Sequence, residues 1–514
     1  MFRAHSILRA NHLYPLPTLR RNAATTLSAG FLRPLQLSKA LARSTHTLTA
    51  TTMLSRLADL PALTARVHTD HVNMGGYPQA EVALLNYIRN THRSNIVYMG
   101  FRSKHLPHKL YSQWVLGATP ERLRQTYDDY LPRLEPLPKS NVNITRDSLM
   151  NHLGQRETYG AYLRFFDHEI SERGMESVFQ TYYPLLLAGM YGGLTHPMIH
   201  IGYAIEFHND QLLSEGLAYA CSHYLDMAAV IDQPTVATTA MQEPPQPQTA
   251  TDPWLSLHQV AEDASGDFQV NAAEPRFSRR AAGLLGRPAV MQKLSRLVQN
   301  YLPLAPADQS TDADRSSPVT PDVLHRLAVS TVGAYAGLVT KRPARLDFFL
   351  AHAVTSLYAT FMIVPHLTDP RDQVRQLRLQ LFILLAVYAT EGRGALPKEP
   401  HVPGDAHLRR RQGNHRAIGN DATNLPFSPS DTESDSNDGN GDGTMRAYPD
   451  SWHDIRERAV AADDDHVAKV VRALDFFRRV YGDTNDELFH HAALHTVDQI
   501  QVKDDWRFQA LPQE

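Results

Sequence analysis

From about Leu60 onward, apolar residues recur every three or four positions rather than every second one, a spacing that gathers them on one face of a helix. Leu324, Leu327, Ala328, Thr331, Tyr335 and Leu338 make one such face, and runs of the same period occupy 160–190, 211–230, 346–364, 374–391 and 466–480. Thr119-Pro120-Glu121 and Thr320-Pro321-Asp322 each supply a capping hydroxyl, a proline for the first helical position and an acid for the first turn, the combination that satisfies a helix N-terminus. Strand-like alternation is scarce and no repeat period emerges. The pattern predicts a mainly α fold: an irregular multi-helix bundle in a single large domain over 59–514. The most apolar stretches, 348–364 and 379–389, are short and interrupted by His352 and Gln380. They predict buried core helices and no integral membrane segment.

Two stretches break the helical period. Residues 232–253 carry Pro234, Pro244, Pro245, Pro247 and Pro253 among Gln and Thr, which predicts an exposed loop. Residues 398–446 combine the basic cluster Arg409–Arg411 with an acidic, Ser- and Gly-rich run whose only aromatic is Phe427. So little apolar surface cannot offset the entropy of ordering, and a disordered insertion is expected. The beginning of the chain differs again. Asp59 is the first acidic residue, and eight Lys and Arg precede it among Ser, Thr, Ala and Leu. Residues 1–58 therefore read as a disordered presequence with the composition of a mitochondrial transit peptide, and initiation at Met53 would leave a cytoplasmic protein instead.

Composition narrows the chemistry. A chain of 514 residues with 42% hydrophobic residues can bury a large core without staples. A formal charge of −3 gives no positive field to hold nucleic acid, and small molecules become the expected partners. The single cysteine, Cys221, excludes an internal disulfide framework and a thiolate cluster. Histidine is abundant, at 26 residues, so a bound transition metal would take imidazole and oxygen ligands, as iron, copper and zinc do. No G-x-G-x-x-G follows a strand, and neither a G-x-S-x-G elbow nor a Walker A sequence occurs; GNGDG, near 439–443, opens no apolar helix.

Four segments place histidine where chemistry can use it. In His105-Leu106-Pro107-His108, Pro107 suits the first position of a helix, which puts His108 in its first turn and His105 just outside. In HPMIHIGYAIEF, His196 and His200 are four apart on the helix that Pro197 starts; Gly192, Gly193 and Gly202 permit close backbone approach, and Glu206 is a candidate to fix an imidazole tautomer. His352 lies in a helix apolar nearly all round, so its ring must be buried and needs a partner, either a metal or a carbonyl. His466 and Lys469 are three apart on one helix face. An ammonium cannot ligate a metal, so Lys469 takes part only if it reacts with carbon dioxide to give a carbamate.

Taken in order, HLPHKLYSQWVLGATPERL, HLGQRETYGAYLRFFDHEI, HPMIHIGYAIEF with SEGLAYA, LDFFLAHAVTSLY and DDHVAKVVRAL make the chain resemble the questin oxidase-like family from about Arg93 to Trp506. The resemblance implies Baeyer–Villiger-like oxidative ring cleavage of a phenolic aromatic polyketide or quinone, with O2 as co-substrate. It further implies non-haem iron (Fe2+) held by histidines and a carboxylated lysine. Carried onto this chain, the metal ligands are His108, His200, His352, His466 and Lys469, with His105 the alternative to His108 and His196 the alternative to His200. The family's other description implies an NADPH-dependent Baeyer–Villiger-type oxidase without iron. A third reading, from a different class, is a non-catalytic helical protein that binds an aromatic or lipid metabolite.

The presequence reading has a direct test. A fluorescent fusion to residues 1–58 is expected to enter mitochondria, and the protein begun at Met53 to stay in the cytosol; diffuse fluorescence from the first fusion overturns it.

Overall fold

Proline opens many of the helices, because its fixed φ suits a first turn and its missing N–H would be unpaired there anyway. Side-chain caps complete the starts. Thr119 accepts from Arg122 N, Thr320 from Val323 N, Asn209 from Leu212 N, and Asp347 from both Phe349 N and Leu350 N at 2.8 and 2.7 Å. The computed structural model describes residues 78–99, 102–232, 252–302, 319–338, 345–400, 451–502 and 505–508. The presequence 1–58, nearly all of the loop 232–253 and the insertion 398–446 beyond Pro400 lie outside the described residues.

The helices are α1 (Pro78–His92), α2 (Leu106–Val115), α3 (Pro120–Tyr130), α4 (Tyr159–Arg173), α5 (Met175–Leu186), α6 (His196–Glu206), α7 (Asp210–Ser222) and the short α8 (Ala228–Ile231). They continue as α9 (Pro253–Ala261), α10 (Phe277–Leu285), α11 (Pro288–Tyr301), α12 (Pro321–Gly337), α13 (Phe348–Ile363), α14 (Pro370–Thr390), α15 (Trp452–Ala461) and α16 (Val467–Gln499). Among the described residues, extended pairing amounts to Tyr98–Met99 against Arg102–Ser103, two residues a side and antiparallel, and the single bridges Asn95 to Pro136 and Asp347 to Arg507. The mainly α expectation therefore holds, and the described residues all fall in one compact unit.

Several boundaries differ from the periodicity. The run at 160–190 is two helices, because Gly174 takes φ +78° between α4 and α5, a conformation that side chains oppose. The run at 466–480 continues much further as α16, bent at Asn485, whose φ is −143°. Both α2 and α6 begin one residue before the proline, so His196 is inside α6 rather than ahead of it.

α13 is the middle of the core, packed by α6, α12, α14 and α16. Phe348–His366 is the one stretch among the described residues long and apolar enough to cross a membrane, and 89% of its apolar window is buried inside the protein. α6 approaches α13 very closely. A Cβ added at Gly202 would lie 2.6 Å from Ala359 Cβ and 2.7 Å from its Cα, and since part of that obstacle is backbone, only movement of a helix would relieve it. Gly202→Ala is accordingly expected to cost about 1–3 kcal/mol in denaturant unfolding. A variant as stable as the parent would show that α6 and α13 can separate freely.

Candidate metal centre

Four helices begin around one buried space. His105 and His466 are the residues just before α2 and α16, His196 is the first residue of α6, and His352 is one turn into α13. Each start is held in place locally. The His105 amide donates to Tyr130 Oη at 2.9 Å, the His466 amide to Asp464 Oδ1 at 2.7 Å, and His196 follows two residues, Leu194 and Thr195, in left-handed conformation at φ 52° and 63°. Such backbone is costly for non-glycine residues and persists only where its surroundings enforce it.

His105, His196 and His352 each offer a ring nitrogen within 4.8 Å of the other two, and all three are buried. Two of the outer nitrogens are already committed. His196 Nδ1–H donates to Gly193 O at 2.7 Å and His352 Nδ1–H to Phe348 O at 2.8 Å, which leaves the Nε2 of each ring as the lone pair in the neutral tautomer. His352 Nε2 has no partner. The Nε2 atoms of His105 and His196 stand 2.7 Å apart on nearly parallel rings. One must donate to the other, or both lone pairs must turn to a shared cation, in which case His105 carries its proton on Nδ1, 4.0 Å from Asp465 Oδ2. These three buried histidines can hold a metal ion.

His466 and Lys469 adjoin the three. The His466 ring lies 4.5 Å from that of His105 and 5.0 Å from that of His352; its Nδ1 is 3.4 Å from Asp464 Oδ1 and its Nε2 is unpaired. Phe348 packs on His466 at 4.5 Å and Trp506 stands 6.2 Å away. Lys469 Nζ is buried without a hydrogen-bond partner, and burial pushes its pKa down to about 8. Burial first, then the charge of Lys469, drives the imidazoles of His105 and His196 well below their ordinary value; in His352 burial acts first and His196, His466 and Lys469 add to it. The imidazoles of the cluster are thus neutral bases. The N-terminal ends of α2, α6 and α16, which face this buried space, add positive potential that further disfavours protonation.

His108, whose ring is 6.3 Å from that of His105, and His200 bond to each other, His108 Nε2 to His200 Nδ1 at 2.9 Å. His200 Nε2–H donates to Glu215 on α7 at 2.9 Å. Glu215 also receives Lys104 Nζ at 2.9 Å and His92 Nδ1–H at 3.0 Å, and His92 Nε2–H reaches Asp167 at 2.9 Å. Burial alone would raise the Glu215 carboxyl, but Lys104, His200 and His92 hold it well below the usual range. Glu206 does not take the tautomer-fixing place its position suggested. It pairs with Arg472, whose guanidinium lies under the rings of Tyr203, Phe207 and Tyr358. Glu215, Lys104 and His92 escaped the motif reading; the available signal was an acid inside the otherwise apolar run LLSEGLAYA.

Fold and centre together define a helical protein built around a buried imidazole site. The model of the questin oxidase-like family matches residues 103–474, and the chain belongs to that family. It is similar to a Baeyer-Villiger oxidase of Paecilomyces divaricatus, 29% identical over 314 residues that make up 57% of this chain and 63% of that protein. A Baeyer-Villiger monooxygenase of Cryptosporiopsis sp. is 26% identical over 57% of this chain and 65% of its own length. A questin oxidase of Aspergillus terreus is 26% identical over 393 residues, 72% of this chain and 74% of its own. The match to the first two spans less than two thirds of their length.

The network around Glu215 has a pH signature. Burial would lower the His92 pKa, but its hydrogen bonds to Asp167 and Glu215 raise it to about 9. The charged ring is favoured in the folded state, so its contribution is complete below the unfolded value near 6.5 and disappears as pH rises through about 9. His92→Gln is expected to lose about 2–3 kcal/mol of stability near pH 6 and much less near pH 10, read by urea unfolding at both. An equal loss at the two values would sink this assignment.

Proposed function

We propose that the protein is an oxidoreductase that opens a ring of a phenolic aromatic polyketide or quinone in a Baeyer–Villiger-like oxidation, using O2 and a non-haem iron. The ligands are His105, His196 and His352, with His466 beside them and Lys469 supplying oxygen as its carbamate. One observation carries the reading. Nitrogen donors from four helix starts are buried together and held neutral, several without any protein partner, an arrangement whose desolvation cost is hard to offset except by a ligated cation. The family and the names of its relatives supply the reaction class.

Iron, when bound, supplies the one-electron chemistry through which ground-state oxygen reacts with an organic ring. The chain's own residues do the rest. Gly193 O and Phe348 O hold protons on the Nδ1 atoms of His196 and His352, keeping both Nε2 lone pairs available. Phe348 and Trp506 wall the His466 side and exclude water there. Burial lowers the Lys469 pKa to about 8, which makes its uncharged form, the one that adds carbon dioxide, more accessible than in an exposed lysine. The NADPH-dependent alternative lacks a dinucleotide fingerprint in this sequence.

Purified protein is expected to carry stoichiometric iron, lost on chelation together with turnover of an anthraquinone panel. Lys469→Ala should lower both metal content and activity at least about 10-fold, and short carboxylic acids should partly restore activity by supplying the missing oxygen ligand. His352→Ala should also lose metal, without rescue by acids. Wild-type protein devoid of stoichiometric metal, with full turnover in Lys469→Ala, would hand the reaction to the NADPH-dependent reading; tight binding of the panel without turnover would point to a binding protein.

A further inference from the structure

Glu215 is an ionised carboxylate that no solvent reaches, and it can only accept hydrogen bonds. That constraint propagates. His200 faces it with Nε2 at 2.9 Å, so the His200 proton must sit on Nε2, and Nδ1 of the neutral ring is an acceptor. His108 meets that acceptor with its own Nε2, also at 2.9 Å, and must donate to it. The remaining nitrogen, His108 Nδ1, is then a lone pair, and it is buried with no hydrogen-bond partner. The ring lies 6.3 Å from that of His105. Lys104 keeps the whole sequence in one direction, since its ammonium, paired with Glu215 at 2.9 Å, disfavours a proton on the carboxylate.

We infer that Glu215 is a positioning residue: acting through His200, it fixes His108 as the Nε2–H tautomer and so reserves His108 Nδ1 as a nitrogen donor for the ion bound at the histidine cluster. The final step rests on the metal reading above, while the tautomers do not. A carboxylate two side chains removed would thereby set the electron-donating strength of a ligand, because each hydrogen bond pushes negative charge toward the next ring.

The test uses the full-length protein labelled with 15N-histidine and freed of metal. In the wild type, both His200 and His108 should carry their proton on Nε2. Glu215→Gln, whose amide can present an N–H to His200, should shift His108 toward the Nδ1–H form or a mixture. Metal affinity, measured by chelator competition, should fall about 10- to 100-fold in Glu215→Gln. It should fall in His108→Ala as well, and adding Glu215→Gln to His108→Ala should weaken binding no further. A wild-type His108 protonated on Nδ1 overturns the inference, as does an equal loss of affinity from Glu215→Gln with and without His108. Expected tautomers in a wild-type protein that binds no metal would instead overturn the metal reading and leave the positioning role standing.

Discussion

Burying basic nitrogen atoms where water cannot follow is the constraint on which this molecule is organised. An imidazole or an amine in such a place is cheap to keep only if it stays neutral, and even then each lone pair needs something to meet it. The protein deals with this in two layers. In the outer one, around Glu215, charges are balanced outright: Lys104 and His92 face Glu215 and Asp167 in a buried ion network. In the inner one, at His105, His196, His352, His466 and Lys469, no carboxylate stands within hydrogen-bond distance of most of the nitrogens, and lone pairs go unanswered. The contrast is informative, since the same fold that satisfies one cluster so fully leaves the neighbouring one open.

Much of the fold was legible because helix signals are local. A capping threonine followed by proline marks Pro120 and Pro321 without any knowledge of what packs against those helices, and a run of apolar residues around His352 announces burial by composition alone. Local signals fail where tertiary contacts decide. Nothing near Val480 shows that α16 continues to Gln499, and the break at Gly174 hides inside an unbroken apolar period.

The centre was legible to the level of its segments but not of its atoms. Each histidine pair presents two rings about a turn apart, and either can face inward; only in the packed structure do His105 and His196 come together while His108 bonds to His200. Glu206 and Glu215 show the same limit. Both lie near His200 in sequence, yet Arg472 draws one away and the packing of α6 on α7 delivers the other. Pairwise geometry of this kind has no signature in a single chain.

The donors come from far apart along the polypeptide, with His105 and His196 alone 91 positions apart. A site with such non-local connectivity can form only when long stretches of chain are closed into loops, at an entropy cost that grows slowly with their length. An ion bound there would stabilise the native state by mass action, about 2.7 kcal/mol at a hundredfold excess over Kd.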